Sequence, residues 1–345
     1  MPLASSHKVC IANFILNAHS RFVANARKKR RHEKIHPCIF SCCRFVRVAF
    51  KSAISCIRAR PLMRSFYKET IMKKISKFVI GALLALAVIA PLSAKPKFRT
   101  VEQIKKSKEV KIAVFSDKKP FGYVDENGEY QGYDVYFGNR IAKDLGVKVK
   151  YVPVEAASRV EVLATGKVDI VLANFTVTPE RAEKVDFALP YMKVALGIVS
   201  PESALITAPE QLNGKTLIIA KGTTAETYFT KNYPQVKLLK FDQYAEAYNA
   251  LLDGRGDALS TDNTEVLAWA IENKGFAVGV ESLGDLDTIA AAVQKGNKDL
   301  LDWLNNEIVA LGKERFFHAD YEATLRSVYG KDSDADALVV EGGKI

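Results

Sequence analysis

From position 95 to its end the chain contains no cysteine and one histidine, His318. These absences exclude a disulfide framework, a cysteine nucleophile and a His-rich metal site in this stretch. A Ser-His-Asp triad is excluded unless His318 belongs to it. Neither a Walker loop nor a dinucleotide fingerprint is present. No catalytic residue, metal or cofactor is therefore expected. Excess basic charge is also lacking here: residues 95–345 carry 32 Lys/Arg against 37 Asp/Glu. The chain's net charge of +11 comes from its front end, where residues 1–71 hold fifteen Lys/Arg and two acids. A nucleic-acid partner is not expected from that distribution. What remains for chemistry is carboxylates, Arg, Lys, hydroxyls and aromatics, the groups that bind a small zwitterion.

Residues 72–94, MKKISKFVIGALLALAVIAPLSA, have a basic start, a short apolar core and a small final residue. This is the three-part pattern of a cleaved secretory signal peptide. The apolar run is short for a membrane span, and no Cys follows it to carry a lipid anchor. Met72 then reads as the natural start, with 1–71 as an upstream extension without a stable fold. All five cysteines (Cys10, Cys38, Cys42, Cys43 and Cys56) lie in that extension. Together with His32 and His36 they raise a zinc reading, but their spacing matches no paired-ligand pattern. The Arg-rich, acid-poor composition also fits a transit peptide, against which the following bacterial-type signal argues.

Beyond 95, apolar runs of strand length alternate with helix-length segments, which predicts an α/β fold with a largely parallel sheet. VKIAVF, VKVKYVPV, VDIVLAN, TLIIA, VKLLKF, DALST and TIAAAV read as strands. Asn127-Gly128 between aromatic-rich runs predicts a hairpin. Asp134 can cap the next helix and Gly146 end it. The tail from Lys331 reads as polar and peripheral.

Three strand ends carry chemistry, and in open α/β sheets ligands bind beyond such ends. In ANFTVTPER, Thr178 caps a helix and Pro179 opens it. Arg181 then stands in the first turn, where the macrodipole disfavours a cation unless an anion is near. AKGTTAE places a Gly and two hydroxyls before a helix, so free N–H groups face outward. DALSTDNTE ends in Asp262. Each has a plainer reading. Asp262-Asn263-Thr264-Glu265 is also a capping box, and Thr223-Thr224 can be cap residues alone. Arg159 can be a surface partner of Glu155 at i,i+4, while Phe121 and Phe175 can be ordinary core. Arg255-Gly256-Asp257 is discounted as a short-motif coincidence.

Taken in order, PFGYVDENGEYQGYDV, ANFTVTPERAEKVDFALPYM, KGTTAETYF and GDALSTDN resemble the family-3 solute-binding proteins of ABC importers, the polar amino-acid receptors. VEAASRVEVLATGKVDIVLANFTVTPERAEKVDF, ERFFHADYEATL and VEGGKI resemble the cysteine-binding branch in particular. The resemblance implies a two-lobe periplasmic binding protein fold of type II with the ligand in the interlobe cleft. It implies lobe 1 at 95–195 plus 287–330, lobe 2 at 196–286, and a tail at 331–345. Arg181 would clamp the ligand α-carboxylate, with Thr176 and Thr224 donating to it. Asp262 and the Asn174 backbone carbonyl would accept from the α-ammonium. Phe121 and Phe175 would wall the pocket, and Arg159 would lie near the ligand side chain. The family often has a small hydroxyl residue where Asn174 stands. The implied protein is a periplasmic monomer that delivers an amino acid, cysteine first, to an inner-membrane ABC permease. Serine, cystine and acidic amino acids stay open as ligands, the last because of Arg159. The rival class is a periplasmic dehydratase on the same fold, which uses a carboxylate in the cleft; no spare acid is assignable from the sequence.

Overall fold

The computed structural model describes residues 98–345. The expected signal peptide and the extension before it lie outside the described residues.

The first element, α1 (Val101–Ser107), starts at a capping box in which Thr100 and Gln103 satisfy each other's backbone. Strand β1 (Glu109–Val114) pairs in parallel with β5 (Lys148–Pro153) on one side and β6 (Ile170–Val171) on the other. Between β1 and β5 the short strands β2 (Asp117–Lys118), β3 (Gly122–Val124) and β4 (Tyr130–Gln131) form a separate antiparallel sheet. The β3–β4 turn is the predicted hairpin, with Gly128 at φ +82°. Helix α2 (Tyr133–Leu145) ends at Gly146 in the left-handed conformation, as the sequence predicts. Its N-cap is Gly132, not Asp134. The Asp134 carboxylate is turned inward to other partners, which correct its expected capping role.

After the short α3 (Arg159–Ala164) and α4 (Pro179–Ala182) comes β7 (Val185–Pro201), 17 residues long. Then follow β8 (Thr216–Ala220), α5 (Thr224–Asn232), β9 (Lys237–Phe241), α6 (Tyr244–Leu252), β10 (Ala258–Asp262) and α7 (Asn263–Glu272). A 19-residue strand, β11 (Phe276–Gln294), leads to α8 (Lys298–Lys313), α9 (Phe316–Thr324) and α10 (Arg326–Tyr329).

The main sheet has the order β5-β1-β6-β11-β7-β10-β8-β9. Its two ends are parallel βα units: β8 pairs in parallel with both β9 and β10. The long antiparallel pair β7–β11 joins them, with five register shifts along its length. The sequence predicts only the end of β11 as strand. The rest, rich in Gly, Asp and Glu, is held extended by β7, whose pairing overrides weak propensity.

Apolar packing follows the same division. One core gathers Ile104, Ile112, Phe121, Phe137 and Tyr191 from the β1 half. Another gathers Ile198, Leu217, Ile219 and Phe229 from the β8 half. A third joins Phe115, Val154 and Phe175 to Ile218, Tyr244 and Leu259, so it crosses between the halves. The C-terminal tail is not peripheral. Val339 and Val340 are buried, Val340 N donates to Tyr191 O, and Lys193 N donates to Leu338 O. His318 holds the same tail through Glu341 at 2.8 Å and Asp336 at 2.7 Å.

Candidate functional site

The predicted residues, Phe121 excepted, meet near the carboxyl ends of β6, β8 and β10. Thr178 caps α4 by accepting from Arg181 N, as its sequence implies. That helix is a single turn, so its dipole is small. The Arg181 guanidinium folds back instead: one Nη donates to Thr176 O at 2.8 Å and the other to Gly222 O at 2.9 Å. Burial lowers its pKa from the usual arginine value.

Arg159 is not a surface partner of Glu155. It is 3% exposed, while Glu155 faces solvent. Its Nε donates to Ala156 O, one Nη to both Ala173 O and Asn174 O, and the other Nη to Gly222 O. Burial first, then the Arg181 guanidinium, bring its pKa down to about 9, so it stays cationic at neutral pH. Both guanidiniums lie over the Phe175 ring, at 4.4 Å and 5.0 Å from its centroid. Phe175 is thus a platform for two cations, and it also packs against Phe187.

Gly222, on the β8 side, supplies the carbonyl that both arginines share. It has φ +72°, and a Cβ there would stand 2.4 Å from the Cα of Ala157. Only glycine allows this turn and this approach of the two halves. Thr223 is the true cap of α5: its hydroxyl accepts from Glu226 N and donates to Ala220 O. Thr224, next to it, begins the helix half-buried.

Asp262 occupies the N-cap position of α7 but makes no side-chain cap bond, so the capping-box reading fails. Its Oδ2 accepts instead from Asn174 Nδ2 at 2.7 Å and from Lys118 Nζ at 3.1 Å. Since a carboxylate cannot donate, the Asn174 amide must present its NH₂ to Asp262. Its Oδ1 is left buried and unpartnered among the described residues. Asn174 itself sits at φ 41°, in the left-handed region that asparagine tolerates. Asp134 holds it there, accepting from Asn174 N at 2.8 Å and from Tyr191 OH at 2.6 Å. Burial raises the Asp134 pKa to about 7.

Of the predicted set, Arg159, Arg181, Asn174, Phe175, Thr176 and Asp262 are linked by direct contacts, with Thr224 two residues after the shared carbonyl. Phe121 stands apart. It is fully buried in the β1-half core, and it touches the site through its carbonyl, which accepts from Asp134 N.

Sequence reasoning did not single out Lys118 or Tyr244, and it gave Glu265 only a place in a capping box. Lys118 is 1% exposed. Its Nζ lies 2.6 Å from Glu265 Oε2 and 3.2 Å from Tyr244 OH, and 4.3 Å from the Tyr244 ring centroid. Burial works against its charge, but Asp262 and Glu265 outweigh it and hold its pKa well above the ordinary lysine value. Burial raises Glu265 to about 7, against the pull of Lys118. In the sequence Lys118-Lys119-Pro120 looks like a solvated loop, and nothing local marks the first lysine as buried.

Among the described residues no cluster of three or more His, Cys, Asp or Glu could hold a metal ion. A cavity of about 470 Å³ lies between α7 and the tail, lined by Lys193, Leu267, Leu286, Tyr329 and Leu338 among others. It touches none of the predicted site residues.

Residues 110–322 match the model of the bacterial extracellular solute-binding proteins, family 3. A solved solute receptor for L-cysteine from Neisseria gonorrhoeae is 55% identical, with a TM-score of 0.69, over 70% of this chain and all of that one. A cysteine-binding protein from Campylobacter jejuni is 54% identical, also at TM-score 0.69, over 70% of this chain and 98% of that one. The glutamine-binding protein GlnH of a Bacillus subtilis ABC transporter is 28% identical over 74% of this chain and 98% of its own length.

Proposed function

Because the chain belongs to the family-3 bacterial extracellular solute-binding proteins, we propose that it is the periplasmic, monomeric receptor of an amino-acid ABC importer, that L-cysteine is its ligand, and that it passes this ligand to an inner-membrane permease. The observation that carries the reading is the separation of charge across one cleft. Two guanidiniums stand over Phe175 at one end, and Asp262 with the free Asn174 Oδ1 stands at the other. A zwitterion is costly to desolvate unless both ends are paired, and this arrangement offers both partners.

In this reading Arg181 clamps the α-carboxylate, because its two bonds to carbonyls leave donors free, while those of Arg159 are largely committed to backbone carbonyls. Arg159 then supplies charge and rigidity more than a contact. That weighs against an acidic ligand. Thr176 and Thr224 flank the carboxylate, and Phe175 walls the pocket with Phe121 behind. Asp262 accepts from the ammonium. The Asn174 carbonyl already accepts from Arg159, so the unpartnered Oδ1 takes the part first given to the backbone. Identity with the two cysteine receptors supports the choice of cysteine.

We propose the lobes as 95–195 plus 287–330 and 196–286, with the hinge in β7 and β11, the strands common to both halves. Ligand binding would favour the closed arrangement. Catalysis is not part of the proposal. The two acids of the site that burial raises to about 7, Asp134 and Glu265, are already held by Asn174 N and Tyr191 OH, and by Lys118 and Thr261.

The test is calorimetry of the full chain with L-cysteine under reducing conditions, and with cystine, serine and glutamate. Chromatography of the recovered ligand accompanies it. Micromolar or tighter binding of cysteine, recovered intact, is expected. Preference for another amino acid would move the ligand assignment; consumption of the ligand would replace the receptor with an enzyme.

A further inference from the structure

Three consecutive residues of β2 and the turn after it, Asp117, Lys118 and Lys119, all engage the β8 half. The Asp117 carboxylate accepts from Ala245 N, at the start of α6. Lys118 Nζ meets Asp262, Glu265 and Tyr244. Lys119 Nζ pairs with Glu272 of α7 at 2.9 Å. Yet this segment is rooted in the other half: β2 pairs with β3, and Phe121, three residues past Lys118, is in the β1-half core. It is a short arm anchored on one side of the cleft and bonded to the other.

We propose that this arm is an interlobe latch, with Lys118 as its buried bolt: an internal ammonium that bridges the lobes beside the ligand's own ammonium site and preorganises the cleft in the closed state. Three features support it. An ammonium has three donors, and Lys118 has three oxygen partners, so none of its hydrogen-bonding capacity is lost on burial. On the lysine side this meets the condition under which a buried ion pair holds rather than strains a structure, although Glu265 Oε1 stays buried without a partner among the described residues. None of these contacts uses a ligand atom, so a ligand is not needed to form them. And the shorter contact, 2.6 Å, is to Glu265, leaving Asp262 with its second oxygen for the ligand. A receptor whose competent state is only partly populated binds more weakly by that fraction. A latch that raises the closed population therefore raises affinity without touching the ligand.

The latch is testable with and without ligand; only the second arm rests on the receptor reading above. Hydrogen exchange, followed by mass spectrometry on the ligand-free full chain, would compare wild type with Lys118→Met. The double variant Lys118→Met/Glu265→Gln, which leaves no unpaired buried carboxylate at 265, is the control for misfolding. We expect at least tenfold faster exchange of the Ala245 amide and of the segment around Ala157 in both variants, with the far core unchanged. L-cysteine affinity should fall at least tenfold in parallel. Unchanged exchange in the double variant overturns the latch. Faster exchange with equal or tighter cysteine binding overturns preorganisation and makes Lys118 a competitor for Asp262. If cysteine fails to bind even the wild type, the receptor reading fails, while the exchange arm still decides the latch.

Discussion

The two ends of the cleft handle buried charge in opposite ways. At the cationic end, Arg159 and Arg181 are held by neutral carbonyls of Ala156, Ala173, Asn174, Thr176 and Gly222. Their charge is oriented but not cancelled. At the acidic end, Asp262 and Glu265 share a counter-ion, Lys118. The first end therefore has an unmet demand for an anion, whereas the second is nearly satisfied and offers only what is left over. A ligand should gain more of its affinity at the arginine end.

Replacing Arg181 by Ala tests that asymmetry most directly. We expect amino-acid binding to be lost by about 3–5 kcal/mol, since a desolvated carboxylate would lose its partner, with the fold retained in circular dichroism. Calorimetric affinity within threefold of wild type would remove Arg181 from the site. Asp262→Asn should cost less, about 2–3 kcal/mol in affinity, because Lys118 keeps Glu265 and Asn174 keeps an acceptor. Since Asp262 makes no cap bond, any fall in the ligand-free melting temperature should come from its weakened pair with Lys118 and not from α7. An equal or larger loss than with Arg181→Ala would reverse the ranking of the two ends.

Asn174→Gly separates recognition from conformation. Glycine accepts the left-handed backbone freely, so stability should hold, while loss of the orphan Oδ1 should weaken binding by about 1 kcal/mol or somewhat more. Unaltered affinity in a titration would return that oxygen to a passive role. The smallest effect on binding is expected from Asp134→Asn, which mimics the protonated acid. Its signature lies in pH. With a folded pKa of about 7, Asp134 keeps its proton between the ordinary carboxylate range and pH 7, where the unfolded chain has released it. Stability therefore falls as pH rises through that window, by up to about 1.4 kcal/mol per unit. Denaturant melts from pH 4 to 7 should show a flatter profile in the variant. Parallel profiles would mean that Asp134 is not protonated there.

Much of this architecture is legible from local pattern. TLIIA and KDLLDWLNNEIVALGK coincide with β8 and α8 to the residue, because apolar period and caps agree there. The arginine and acid at the strand ends are legible as well, since unusual charge at a helix start asks for a reason. What stays hidden depends on distant partners. Arg159 looks like half of a surface pair until four carbonyls surround it. Lys118 looks solvated until the opposite half covers it. The first part of β11 carries turn-forming residues and is a strand only because β7 runs beside it, and the tail is fixed by the backbone of Tyr191 and Lys193. Each depends on a partner that sequence separation conceals.

Gly222 bears on speed as well as shape. Where it meets Ala157 the surfaces touch backbone to backbone. In the proposed receptor no rotamer would have to be found on either side before these surfaces fit. One methyl group here would act as a wedge, because its carbon would fall 2.4 Å from the Cα of Ala157 and the two surfaces could not meet.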